Sequence, residues 1–90
     1  MNRYGEQAME HWKENRPQAY RKLEDPGDFF TDLGEEIAQE IETRTRVLAG
    51  KGTEGEGYLQ RLQRLNTSRL QAEGEVLRER VLLEEEPGRE

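Results

Sequence analysis

The chain of 90 residues contains no cysteine. Disulfide staples and thiolate metal sites are therefore excluded. It holds a single His and a single Ser, His11 and Ser68. Nothing in the surrounding sequence brings the two together with a carboxylate, so serine-type hydrolysis has no local support. Di-iron carboxylate proteins place a Glu three residues before each ligating His, but that position before His11 is Ala8. Only Glu14 shares a helix face with His11, enough for a stray ion. The glycine-rich run GKGTEGEG (50–57) follows a helical pattern rather than a strand and lacks the Lys-Ser/Thr ending of a phosphate loop. No apolar run is long enough for a signal-peptide core or a membrane span, so no membrane partner is expected and the cytoplasm is the default location. The formal net charge of −6 disfavours direct contact with nucleic acid. The expectation is a protein that is not an enzyme, with no catalytic residue, metal or cofactor.

What remains is helix-forming and highly charged. Leu, Ile, Val and Phe supply 17 of 90 residues, while 38% of residues are charged. Such a composition leans toward disorder, yet the apolar residues recur with helical periodicity, which argues for a fold. Both hold together if the chain folds but completes its core by self-association or by docking on a partner.

The periodicity predicts an all-α, three-helix arrangement. A long antiparallel hairpin (26–49 and 58–82) carries an N-terminal helix packed across it, in one domain (1–83) followed by a frayed acidic tail (84–90). Pro17 either kinks the first helix or starts a short second one, with a break near Arg16 favoured because the residue before Pro avoids helical geometry. EDPGDFF (24–30) is a helix start: Asp25 caps, Pro26 suits the first turn and Asp28 complements the dipole. Trp12 is expected to pack in the core with Phe30, Leu33, Ile37 and Ile41, and Gly34 and Ala38 beside that stripe admit a neighbouring helix. On the last helix Leu59, Leu62, Leu65, Ala72, Val76 and Leu83 mark the side expected to be buried and Leu70, Leu77 and Val81 widen it, while Tyr58 is as suited to an interface as to the core. Arg69 falls inside the apolar stripe and is expected to pair with a carboxylate of the preceding helix, for which Glu40 is the best placed. Gly50 is the expected helix stop and Gly74 a weak point in a helix interior.

Charge is segregated along the chain. Residues 24–42 hold eight acidic side chains and no Lys or Arg, whereas residues 58–72 hold three Arg and no acid. On a helical wheel Asp28, Asp32, Glu35 and Glu42 lie opposite the apolar stripe, with Glu36 on a flank. Their spacing is broadly that of a nucleic-acid backbone. The face is either solvated or a surface that occupies a basic groove on a nucleic-acid-binding protein. Arg61 and Arg64 are further candidates for partner contacts or for interhelical pairs.

Taken together, HW (11–12), DPGDFFTDLGEE (25–36), GEGYLQRLQRLN (55–66) and VLLEEEP (81–87) resemble a family of short acidic helical proteins carried on phages, plasmids and integrated elements of GC-rich bacteria. The resemblance carries no activity and assigns no residue a role. It implies a protein-binding module of a mobile element, with an inhibitor of a CRISPR or restriction complex as the leading expectation. A homodimeric or larger helical scaffold, joined through the Leu-rich stripe of the last helix, is the alternative, and an antitoxin-like regulatory partner the third.

Overall fold

The computed structural model describes residues 1–82. These form four helices and no strand: α1 (Arg3–Asn15), α2 (Pro17–Arg21), α3 (Pro26–Ala49) and α4 (Tyr58–Arg80). The all-α class and the long hairpin are those the periodicity predicts. The N-terminal segment is divided into two helices, and α4 stops two residues short of the expected end. Leu83 and the tail 84–90 lie outside the described residues.

Local chemistry sets each boundary. The Asn2 side chain accepts from the Gly5 N–H at 2.9 Å and so caps α1. Pro17 pushes Arg16 out of helical geometry, to φ −137° and ψ 55°, and then occupies the first position of α2. Asp25 caps α3 by accepting from the Asp28 N–H at 3.1 Å, with Pro26 behind it. Gly50, at φ 63°, ends that helix in a conformation that a side chain would strain.

α3 and α4 run antiparallel, since Ala49 meets Arg64, Arg44 meets Glu75 and Glu79, and Glu36 and Glu40 meet Arg80. α1 lies along the first half of α3, and the two cross glycine on glycine. A Cβ placed on Gly34 would fall 2.7 Å from the Gly5 nitrogen and 2.9 Å from its Cα. Asn2 fastens the crossing by donating to the Gly34 carbonyl at 2.9 Å.

The core gathers where three helices meet. Tyr4, Ala8, Phe30, Ile37, Ile41, Ala72, Val76 and Val81 are buried, and Leu33, Trp12, Tyr20, Leu23 and Leu77 pack around them. Burying each large apolar side chain contributes about 1.5–3 kcal/mol. The Trp12 ring centroid stands 5.3 Å from that of Phe29 and 5.5 Å from that of Phe30, and the Arg16 guanidinium sits over the same ring, 4.6 Å from its centroid. Its buried indole N–H has no hydrogen-bond partner among the described residues, which costs about 1–3 kcal/mol. Tyr4 enters the core by its ring, and its hydroxyl donates to Glu73 at 2.8 Å.

Five expectations need correction. Leu59, Leu62, Leu65 and Leu70 are not buried: they keep 71%, 38%, 36% and 71% of their surface exposed. Arg69 is exposed and makes no ion pair among the described residues; Arg44 and Arg80 tie the hairpin together instead. One geometric fact explains all five. α4 faces α3 along Arg64, Ser68, Ala72, Val76 and Arg80, a row repeating every four residues. The five residues stand off that row, where α1 is too short to reach.

Candidate functional site

Among the described residues no three His, Cys, Asp or Glu side chains converge as a metal site would require. No described helix is long and apolar enough to cross a membrane. His11 lies within 3.2 Å of the Asn15 side-chain amide, as a helix-surface neighbour. The features with functional potential are two surfaces at opposite ends of the hairpin.

The first is the acidic face of α3, where all five predicted carboxylates are exposed. Two of them have cationic neighbours within the fold: Glu36 lies 3.4 Å from Arg80, and Glu42 lies 3.4 Å from Arg46 one turn on. Glu40, beside the stripe, takes the main contact with Arg80. Asp28, Asp32 and Glu35 have no ion-pair partner among the described residues. The charge of Asp25 raises the Asp28 pKa above the ordinary carboxylate value, helped by a hydrogen bond to Asp25, by slight burial and by Asp32. Mutual repulsion is therefore present at the start of α3, where the helix dipole favours negative charge. An open groove of about 530 Å³ follows the α4 side of this face, past Glu36, Glu40, Arg44 and Val47.

The second surface is the loop end of the hairpin, which we call the distal end. Tyr58 is 75% exposed, Leu59 and Leu70 are each 71% exposed, and Leu48, near the loop end of α3, is 38% exposed. Leu62 and Leu65 add to the exposed apolar residues on this half of α4, with Arg69 set among them and Arg61 at their edge, both exposed and without ion pairs among the described residues.

Beneath that face the loop is locked. Arg64, expected either to meet a partner or to pair between helices, is committed internally. Its Nε and Nη2 donate to the Glu56 carboxylate at 2.7 and 2.9 Å, and its Nη1 donates to the carbonyl of Ala49. The guanidinium thus closes the C-terminus of α3 and ties it to the loop. The hydrogen bonds from Arg64 hold the Glu56 carboxyl below its ordinary value, and the Arg44 pair does the same for Glu79. Gly52 and Gly55, at φ 79° and 82°, supply the left-handed turns that bring Glu56 back to Arg64.

Of the residues expected to be structural, Phe30, Ile37, Ile41 and Val76 are fully buried and Trp12 and Leu33 pack against them. Of those expected to meet partners, Asp28, Asp32, Glu35 and Arg61 make no ion pair among the described residues. Leu59, Leu70 and Tyr58 join them as candidates: the sequence offered their stripe both as core and as the interface of a scaffold, and the structure leaves these three residues exposed.

No protein family, curated protein or solved structure matches the chain.

Proposed function

We propose that this chain is a protein-interaction module without chemistry of its own, and that the distal end of the hairpin is its principal contact surface. One observation carries this: the Leu-rich half of α4 keeps an apolar face uncovered while the same helix is buried further along. Monomers seldom leave contiguous apolar patches of several hundred Å² open without a role in binding. Arg61 and Arg69 suit a partner that presents carboxylates around an apolar strip. In the test, the intact chain and a Leu59→Gln/Leu62→Gln double variant serve as baits in parallel affinity captures from the source cells. Circular dichroism verifies that the variant is folded. Proteins captured by the intact chain, including further copies of it, are expected to disappear from the variant. Identical captures by both baits would discard the distal end as the contact surface.

A second reading is favoured by Asp28, Asp32 and Glu35, which have no ion-pair partner among the described residues. In it the acidic face occupies a basic, nucleic-acid-binding groove on a host or element protein, as an inhibitor borne by a mobile element would. Replacing Asp32 and Glu35 with Lys abolishes such a complex, and raising salt weakens it. A complex indifferent to both changes is not made through this face.

A further inference from the structure

We infer that the occupant of the distal face is a second copy of this chain, with the two α4 helices packed antiparallel across a two-fold axis at Leu62. This rests on the distal end being the contact surface, as proposed above, and adds who fills it and in what register.

Position comes first. On α4 the residues 59, 62, 66, 70, 73 and 77 follow one another at steps of three or four and so share one side. At Glu73 and Leu77 that side is covered by α1, whose Arg3 and Tyr4 bond Glu73 at 2.8 Å. At Leu59, Leu62 and Leu70 no described residue covers it to the same degree. The hairpin offers a seat for one more helix, beside the place where α1 begins.

Area comes second. The exposed parts of Leu48, Tyr58, Leu59, Leu62 and Leu65 offer on the order of 400 Å² of apolar surface. A standard interface takes about 800 Å² from each partner, rather more than half of it apolar. The patch supplies nearly the whole apolar share of one half of a stable dimer, and a two-fold axis uses the same patch twice.

Charge selects the register. Residues 58–72 contain three Arg and no acid, so a second copy laid α4 on α4 must bring its counter-charge from elsewhere. With the axis at Leu62, Leu59 faces Leu65 of the second copy, Leu62 faces itself, and Arg69 lies past the start of the second copy's α4, beside the loop that leads into it. Glu54, exposed in the loop and without an ion pair among the described residues, then comes within reach of Arg69 from the other copy. The symmetry makes this pair twice. It also gives Arg69 a reason to sit in an apolar stripe, which the monomer does not.

The chain has no cysteine, which makes a single introduced thiol a clean probe. Sedimentation equilibrium over a range of concentrations is expected to show a reversible approach to twice the 10.5 kDa chain mass. Leu62→Cys, lying on the axis, is expected to give a disulfide-linked dimer on air oxidation. Leu70→Cys, displaced so that the two thiols lie about 24 Å apart along the helices, is expected to give none. Mixing Leu59→Cys with Leu65→Cys chains yields the same cross-link from a second pair, should Leu62→Cys be poorly folded. Arg69→Glu is expected to weaken self-association about tenfold, and adding Glu54→Arg to the same chain to restore it. A monomer at all concentrations overturns the inference. If the captures described above still depend on Leu59 and Leu62, the distal face then binds a different protein and the interaction-module reading stands; if they do not, both fall. Cross-linking at Leu70 rather than Leu62, or no rescue by Glu54→Arg, overturns the register.

Discussion

Ile37 and Leu59 belong to helices of one hairpin, yet Ile37 is completely buried and Leu59 keeps 71% of its surface exposed. The difference lies in what stands beside them. α1 has 13 residues and spans about 20 Å, whereas α3 has 24 and spans about 36 Å. The short helix covers the half of the hairpin that contains Phe30, Ile37 and Val76, and it leaves the loop half as a two-helix ribbon with one apolar side open. The α1 end is held by side-chain burial, by a glycine crossing and by the Arg3–Tyr4–Glu73 cluster. The distal end is held mainly by polar contacts: one guanidinium, one carboxylate and two backbone turns. An apolar stripe reports that a helix wants cover; the lengths of its neighbours decide whether it receives it.

The sharpest way to break this contrast is at the glycine crossing. Gly34→Ala places a methyl group against the backbone of Gly5, and overpacking of this kind costs about 3 kcal/mol. Val47→Gln, at a distal position that is 75% exposed, is expected to change stability by less than about 0.5 kcal/mol. Urea denaturation of the two variants measures both, and comparable losses would erase the distinction between the ends. A smaller effect of opposite sign is expected midway along α4. At Gly74 an added Cβ would touch only the Arg78 guanidinium, at 3.8 Å. Gly74→Ala should therefore stabilise by about 1 kcal/mol, raising Tm by about 4–8 °C for a domain of this size.

The smallest effect concerns acid. The folded-state pKa of Glu79 is depressed, so the stability it contributes through Arg44 is fully present above the ordinary carboxylate range and is lost as pH falls through the folded value. Asp28 works the other way. Its folded pKa is raised, so its contribution is most favourable at low pH and is lost as pH rises through that value. Thermal melts between about pH 6 and pH 3 should show a shallower acid decline for Glu79→Gln and a steeper one for Asp28→Asn than for the unaltered chain. Parallel curves for all three would mean that neither carboxyl feels its neighbours.

Features set by a residue and its immediate neighbours were legible from the sequence. The Asp25 cap, the break before Pro17 and the stop at Gly50 each follow from backbone chemistry within four residues. Gly34 was legible as a place of close approach because a small residue beside an apolar stripe has few other uses. Glu40 was legible as a carboxylate near the helix seam, but its partner Arg80 was not. Choosing among Arg69, Arg80 and Arg44 requires the crossing geometry of two helices, and a shift of one residue around α4 moves a side chain by 100°. Leu59, Leu62, Leu65 and Leu70 failed for the same reason. Arg64 failed for another: its target is the folded loop itself, including a main-chain carbonyl, and no pattern of side chains announces that. On the acidic face the charges were legible, and what the fold adds is that Glu36 and Glu42 have neighbours while Asp28, Asp32 and Glu35 do not.

The Arg64 clamp has a consequence for the order in which the chain assembles. It joins residues 15 apart, whereas the contact of Arg3 with Glu73 joins residues 70 apart. Closing the longer loop costs about 1.4 kcal/mol more in chain entropy. The hairpin can therefore zip from its loop toward its open end before the N-terminal helix has found its seat. The half of the molecule with the least apolar burial is then the half that forms first, so that a folding chain already displays its Leu-rich face while its core is still incomplete.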